Sequence, residues 1–478
     1  MRASRIARVV GLMTILPSVL VVGPARANAT NAAQLEGLRL YEAGRFAEAI
    51  PYFNQVLQRH PRDTTILNKR GICYLRTEQP EKALADFDRM NLNTLRFMQG
   101  FGDRFGIFSP IYPEAFGNRG IALLMLGRDQ EALESFLMST RLWAGQGRFA
   151  PPRSHAGAYE GLGQAYHRLG QAGPAAEAYN QAIAIDPTDP NGRAGRGDVL
   201  AAQRLFDQAI ADYTEAIRLD PSHSRAFAGR GIAYYTLGRD EDAVADLDRA
   251  IAIDPKFAKA YSYRGAAHGR RGQNEQALAD YDRVIELMPR NAGAYKDRGG
   301  VLVRLGRFDR AIQDLDTAIR LEPKRATAYQ NRGAAYASLG QFERALDDLT
   351  EAIRLDPENA GAYSNRGLAH YAIGAYDQAI ADLSQAIQLE PRAALTHFNR
   401  GEVFARLGMQ DRALQDYTEA IRLEPRLAPA HAAIGRIQSQ RGRGAEALHE
   451  FDMAVRLAPQ ELSVYSDRGH ARREGGDW

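Results

Sequence analysis

Arginine and aspartate recur at fixed positions along this chain, and their spacing predicts ion pairs. Seven arginines stand 34 residues apart, and an aspartate follows each of them sixteen residues later. The seven pairs are Arg196–Asp212, Arg230–Asp246, Arg264–Asp280, Arg298–Asp314, Arg332–Asp348, Arg366–Asp382 and Arg400–Asp416. A guanidinium and a carboxylate can form two parallel hydrogen bonds. We therefore interpret the arginines as one half of a structural ladder, and a track for a polyanionic ligand is the alternative.

A second set of polar residues has the types and spacing of a peptide-binding surface. Asn331, Asn365 and Asn399 follow each other at 34-residue intervals. An amide can both donate to and accept from a peptide backbone, so a row of amides suits an extended ligand. Cationic and aromatic residues occupy neighbouring positions of the same register, namely Lys296, Tyr235, Tyr371, Arg270, Arg304 and Arg406. The sequence predicts a binding row, and a merely solvated polar face is the alternative.

Motifs for catalysis are missing from the sequence. It contains no G-x-S-x-G elbow, no S-x-x-K, no H-E-x-x-H and no phosphate loop that ends in Gly-Lys. The single cysteine, Cys73, excludes an intramolecular disulfide and a four-cysteine zinc site. Lys+Arg is 61 against 58 for Asp+Glu, so the basic excess typical of a nucleic-acid-binding domain is absent. We therefore expect no enzymatic activity, no cofactor, no metal and no nucleic-acid partner.

The elements that must position these residues follow a 34-residue period. Nine prolines recur at this spacing from Pro187 to Pro459. When Ala156 is numbered position 1 of a repeat, these prolines fall at position 32, glycine recurs at position 8 and alanine at position 20. Large apolar residues at positions 4 and 11 have helical spacing, and a proline ends a helix because it lacks an N–H. Each repeat is therefore predicted to form two antiparallel helices, a first helix A and a second helix B.

The pattern resembles the tetratricopeptide repeat, whose period is 34 residues. The residues that match its small and large positions in one repeat are Tyr329, Gly333, Tyr336, Ala345, Leu349, Ala352 and Pro357. The resemblance implies an all-α fold, a right-handed superhelical solenoid of antiparallel helix pairs, whose concave side usually binds peptides or proteins. It also implies that positions 2, 5, 6, 9, 12 and 13 of helix A face that side.

The period divides the chain into about twelve repeats and a C-terminal half repeat. Residues 30–146 hold three repeats with a Phe/Gly-rich insertion at 95–112, and residues 147–155 are a predicted linker. Residues 156–461 hold nine regular repeats, and the half repeat at 462–478 is a predicted cap, since solenoids need polar ends. The insertion either patches the seam between two repeats or contacts a partner through Phe101, Phe105 and Phe108.

Residues 1–27 have the three-part pattern of a secretory signal peptide. Three arginines open the segment, an apolar run of about 15 residues follows, and Ala25-Arg26-Ala27 fits a small-x-small cleavage site. The run is shorter than the roughly 20 residues of a membrane span. Cleavage after Ala27 removes four arginines and no acid, which changes the formal net charge from +3 to −1. We expect a periplasmic or secreted protein of bacterial type without a transmembrane segment after cleavage; an uncleaved signal that anchors the chain in the inner membrane is the alternative.

These observations predict an exported, non-enzymatic scaffold or adaptor that binds proteins or extended peptides in the concave groove. The repeats occupy the chain from about residue 30 onward, which leaves no segment long enough for a catalytic domain. The alternative is an accessory subunit that recruits or regulates an envelope enzyme, for example a glycosyltransferase or a protease.

Overall fold

The computed structural model describes residues 29–90, 112–146 and 152–474, and these residues form 25 helices and no strand. The chain divides into two compact units, residues 1–260 and 261–478. Among the described residues, none of the helices combines the length and the apolar character that a membrane span requires. The predicted all-α solenoid of antiparallel helix pairs is confirmed.

In the first unit, helices A and B alternate along the chain. The helices are α1 (Ala29–Glu42), α2 (Phe46–Arg59), α3 (Thr64–Arg76), α4 (residues 80–90), α5 (Tyr112–Leu126), α6 (Asp129–Gln146), α7 (Pro152–Arg168), α8 (Ala172–Ile185), α9 (Pro190–Ala202), α10 (Phe206–Leu219), α11 (Ser224–Thr236) and α12 (Asp240–Ile253). The following helix, α13 (Ala258–Arg270), contains the boundary between the units.

The second unit repeats the same alternation. Its helices after α13 are α14 (Asn274–Leu287), α15 (Ala292–Arg304), α16 (Phe308–Leu321), α17 (Ala326–Ser338), α18 (Phe342–Leu355), α19 (Ala360–Ala372), α20 (Tyr376–Leu389), α21 (Ala394–Arg406), α22 (Gln410–Leu423), α23 (Ala428–Gln440), α24 (Gly444–Leu457) and α25 (Leu462–Glu474). The last helix is the A helix of the half repeat, and the described residues contain no B helix after it.

Tight turns at position 15 join helix A to helix B. Gly340 has a φ of 73°, in the left-handed region that glycine enters at low cost, and the Gln341 N–H donates to the Tyr336 carbonyl at 2.9 Å. Two repeats have other residues in this conformation, Glu78 with a φ of 59° and Arg204 with a φ of 63°. These two turns are therefore strained relative to those that contain glycine.

Small residues let the two helices of a pair pack closely. Ala345, Leu349 and Ala352 of α18 are fully buried. A Cβ at Gly333 of α17 would lie 2.7 Å from the Leu349 Cγ, so only glycine fits there without a shift. The recurring glycine at position 8 and alanine at position 20 thus set the short distance between helices A and B.

The structure bears on two predicted segments that interrupt the period. Helix α7 begins at Pro152, so the second half of the segment predicted as a linker, residues 147–155, is helical. Proline is compatible with the first turn of a helix because its missing N–H has no partner there. The predicted signal at 1–27 and Phe101, Phe105 and Phe108 of the insertion lie outside the described residues.

Candidate functional site

The arginine ladder consists of paired hydrogen bonds within each repeat. In all seven predicted pairs the arginine Nη2 donates to the aspartate Oδ1 at 2.5 to 2.9 Å. In the pair formed by Arg332 and Asp348, the arginine Nε also donates to Oδ2 at 2.7 Å. The seven aspartates are buried, with Asp348 7% exposed. Each guanidinium therefore neutralises a carboxylate between two packed helices.

A third contact of the same arginines links neighbouring repeats, and the sequence analysis missed it. Arg298 Nη1 donates to Asp282 Oδ1 at 2.5 Å, and Arg332 Nη1 donates to Asp316 Oδ1 at 2.5 Å. In each case the acceptor lies sixteen residues before the arginine, at position 25 of the preceding helix B. A polar residue at this second sixteen-residue offset is the sequence signal that could have revealed the contact. The arginines thus fasten helix A both to its own helix B and to the previous one.

In the half repeat, the arginine at position 7 makes the contact to the preceding helix B; the described residues contain no helix B of its own. Arg468 of α25 donates from Nη1 to Asp452 Oδ1 at 3.1 Å, and Asp452 is at position 25 of α24. The Tyr465 hydroxyl donates to the Pro459 carbonyl at 3.1 Å. These bonds attach the last helix to the end of the stack.

The three asparagines lie on successive A helices of the second unit, Asn331 on α17, Asn365 on α19 and Asn399 on α21. Residues at the predicted concave positions of one A helix contact residues at those positions of the next A helix. Asn331 lies against Gly300 of the preceding A helix, where an added Cβ would be 3.1 Å from the Asn331 Nδ2. We call the surface formed by positions 2, 5, 6, 9, 12 and 13 of the A helices of the second unit the groove face.

The three amides of the groove face have no hydrogen-bond partner among the described residues. Their side chains are half-buried, so each amide is reachable from solvent but is held among neighbours. A half-buried amide without a partner in the chain is hydrated, and a peptide backbone can replace that water. Amides that recur with the repeat and stay unpaired are therefore available to a ligand.

The residue at position 24 of the preceding B helix lies close to position 6 of the next repeat. In the first unit, a Cβ at Gly229 would lie 2.5 Å from the Tyr213 ring, so a side chain there would require this ring to move. In the second unit the residues before the asparagines are shorter leucines, namely Leu315, Leu349 and Leu383. An aromatic residue at position 24 does not exclude a side chain at the next position 6, since Asp297 follows Tyr281 and Ala433 follows Tyr417 at the same offset.

The other predicted binding residues of the second unit differ in exposure, and most of them contact other side chains of the chain. Lys296 Nζ is 2.6 Å from Asp297 Oδ1. Arg304 Nε donates to Asn274 Oδ1 at 3.3 Å. A hydrogen bond with Tyr376 raises the pKa of the Arg406 guanidinium. The remaining two are Tyr371, whose ring centroid is 5.9 Å from that of Tyr376, and Arg270, which is exposed on α13.

Two exposed leucines on the groove face were not among the predicted site residues. Leu368 of α19 is 39% exposed and Leu395 of α21 is 59% exposed, at positions 9 and 2 of their repeats. The half-buried Phe398 lies one helical turn after Leu395. Apolar side chains beside unpaired amides could hold both the side chains and the backbone of an extended peptide.

In the first unit the polar groups at the corresponding positions bind each other. The Tyr213 hydroxyl donates to Asp198 Oδ1 at 2.6 Å, and Arg225 forms an ion pair with the same carboxylate. Tyr235 of α11, predicted as a binding residue, lies half-buried in this unit.

Glu160 of α7 is a buried acid of the first unit without a partner. Both of its carboxylate oxygens are buried without a hydrogen bond, and burial raises its pKa well above the ordinary value.

Comparisons with known proteins agree with this architecture. Tetratricopeptide repeat models match residues 35–90, 163–203, 195–256, 264–330, 335–374, 370–408 and 394–427, which together are more than half of the chain. The chain is 30% identical over 93 residues to tetratricopeptide repeat protein 28 of Mus musculus; the match spans 20% of this chain and only 3% of that protein.

Two solved structures illustrate the range of similarity. The crystal structure of the APC/C hetero-tetramer Cut9-Hcn1 matches with a TM-score of 0.49 and 14% identity, over 93% of this chain and 96% of that chain. The crystal structure of YrrB, described as a TPR protein with an unusual peptide-binding site, matches with a TM-score of 0.35 and 26% identity, over 39% of this chain and 96% of that chain.

Proposed function

The chain belongs to the tetratricopeptide repeat family, and we propose that it is an exported, non-enzymatic scaffold or adaptor that binds proteins or extended peptides on the groove face. The observation that carries this proposal is the row of unpaired amides at Asn331, Asn365 and Asn399. A peptide backbone offers one donor and one acceptor at nearly every residue, and an asparagine amide can engage both.

The spacing of the row suits an extended chain. Packed helices lie about 10 Å apart, so three successive A helices place the outer amides roughly 20 Å apart. An extended peptide advances about 3.3 Å per residue, so a segment of roughly six residues reaches all three amides. Leu368 and Leu395 are exposed beside the row and would contact apolar side chains of such a segment.

Export is proposed on the sequence pattern of residues 1–27, with its basic start, apolar run and small-x-small site. The partner would then be a protein or peptide of the bacterial envelope. The charge of the chain after cleavage, close to zero, gives no general attraction to a polyanion, so recognition would depend on local contacts on the groove face.

A pull-down from bacterial envelope extract tests the proposal. The bait is the chain from residue 28 onward, as the wild type and as the variant Asn331→Ala/Asn365→Ala/Asn399→Ala. The matched control, Gln313→Ala/Gln378→Ala/Gln415→Ala, removes three exposed amides of B helices. Circular dichroism checks that all three proteins are equally helical.

A partner that the wild type and the glutamine variant retain and the asparagine variant loses is the expected result. Equal retention by all three proteins would contradict binding by the amide row. If a glycosyltransferase or protease is the retained protein, its activity with and without this chain decides whether the chain regulates an enzyme.

A further inference from the structure

The last full repeat, residues 428–461, differs from two preceding repeats at positions 7, 11 and 19, where those repeats have two arginines and an aromatic residue. In the repeat that begins at Ala326, Arg332 lies 5.9 Å from the centroid of the Tyr336 ring, and Arg344 approaches the same ring to 5.7 Å. The last full repeat has three different residues at these positions, Ile434, Gln438 and Glu446. Two guanidinium groups and an aromatic ring are therefore replaced by smaller or oppositely charged side chains.

The repeat immediately before it, which begins at Ala394, serves as a second reference. There Arg400 and Arg412 lie 5.8 and 5.6 Å from the centroid of the Phe404 ring. Arg400 also donates from Nη2 to the buried Asp416 at 2.8 Å. The space between positions 7, 11 and 19 is thus filled by cations and a ring in both reference repeats.

In the last full repeat this space is an open cleft of about 450 Å³ between α23 and α24. Its lining residues are Ile434, Gln438, Ala445, Glu446, His449 and Glu450. The cleft has several hydrogen-bond acceptors at its wall, and the Gln438 Oε1 is buried without a partner. A buried acceptor without a donor is unfavourable, so a ligand that donates to it would be favoured.

The two carboxylates of the cleft, Glu446 and Glu450, have only some of the hydrogen-bond and ion-pair partners that they could accept. Glu450 Oε2 is 2.6 Å from His431 Nδ1, and its other oxygen has no hydrogen-bond partner among the described residues. Glu446 faces Arg443 at 3.7 Å, on the exposed side of the helix. The Gln438 Oε1 and the second Glu450 oxygen are therefore acceptors without a donor among the described residues.

We propose that this cleft binds the guanidinium group of an arginine side chain presented by a partner protein. In eight other repeats an arginine at position 7 binds the aspartate at position 23, whereas here Glu450 is at position 23 and Ile434 at position 7 supplies no cation. A guanidinium has five N–H donors in one plane and can reach several acceptors at once, whereas an ammonium is a compact and strongly hydrated charge. The site lies between helices A and B of one repeat and is separate from the amide row of the groove face.

Methyl NMR on the full-length chain tests the proposal, because the Ile434 methyl group lines the cleft. The protein is labelled at isoleucine δ1-methyl groups, and the Ile434 signal is assigned from its loss in Ile434→Val. The probes are Nα-acetyl-arginine methylamide and its lysine counterpart. We expect a saturable shift of the Ile434 signal with the arginine probe, a dissociation constant at least fivefold weaker for the lysine probe, and no shift of the Ile373 signal.

Two variants separate binding from folding. Glu446→Gln/Glu450→Gln keeps the shape of the cleft and removes its charge, so the arginine probe should bind at least fivefold more weakly. Ile434→Arg supplies the missing guanidinium from the chain itself, and its thermal midpoint should be equal to or above that of the wild type. In this variant, isothermal titration calorimetry should detect no binding of the arginine probe.

The proposal is wrong if the Ile434 signal does not respond to the arginine probe, if both probes bind equally, or if the glutamine variant binds as the wild type does. None of these results depends on the asparagine row, so the two proposals fail independently.

Discussion

Replacement of Arg332 by leucine tests the interpretation of the ladder as a set of structural ion pairs. The guanidinium makes two bonds to the buried Asp348 and one to Asp316, whose side chain is 51% exposed. Arg332→Leu therefore leaves a buried carboxylate without a counter-charge. Breaking a buried pair in this way costs about 3–5 kcal/mol, and we take the lower end because the Arg332 side chain is 19% exposed.

The double variant Arg332→Leu/Asp348→Leu should be less damaged than the single variant. It removes the buried charge together with its partner, so the remaining loss is chiefly the contact with the exposed Asp316, about 1 kcal/mol. The expected difference of about 2 kcal/mol corresponds to roughly a 25-fold change in an opening equilibrium.

Hydrogen exchange of residues 326–355 is the suitable assay, because a solenoid opens locally and global unfolding need not be two-state. Arg354→Leu is the matched control, since Arg354 forms an ion pair with Glu351 on the exposed side of α18 and its loss should leave exchange nearly unchanged. If the double variant opens more readily than the single variant, the interpretation of the ladder is refuted.

Three further predictions concern single residues. Burial raises the pKa of Glu114 to about 7 from 4.5, so the folded chain holds this proton more tightly than the unfolded chain and stability falls as pH rises from 4.5 to 7; thermal unfolding of Glu114→Gln should show a smaller fall over this range. Burial also raises the pKa of Cys73 to about 12, so the native chain should not react with a thiol reagent at pH 8 until it is unfolded. Arg204→Gly should stabilise the turn after α9 by about 1 kcal/mol, measured by hydrogen exchange of residues 190–219, because a φ of 63° is costly for arginine.

The period and the fold class were predictable because small and large residues recur at fixed positions. Glycine at position 8 and alanine at position 20 allow one geometry of helix packing, and the structure has that packing at Gly333 and Ala345. The sixteen-residue offset of the arginines and aspartates likewise indicated their juxtaposition, because antiparallel helices bring those positions to a similar height.

The parts that were missed depend on neighbouring repeats rather than on one repeat. The bond from Arg332 to Asp316 crosses between repeats, and the Tyr213 ring fills the space beside Gly229 of the next repeat. Exposure of Leu368 and Leu395 likewise depends on which side chains surround them, since leucine is apolar wherever it stands. Comparing equivalent positions of single repeats does not reveal contacts between neighbouring repeats.

Site-specific photo-crosslinking is the most direct test of the claim that ligands bind on the groove face. The photoreactive residue p-benzoylphenylalanine is placed at Leu395, on the groove face, or at Gln378, on the exposed side of α20. Both proteins are irradiated with the partner that the pull-down identifies. Crosslinks from position 395 that disappear in the triple asparagine variant, with none from position 378, are the predicted result. Crosslinks from position 378 alone, or equal crosslinks in the variant, would contradict the account.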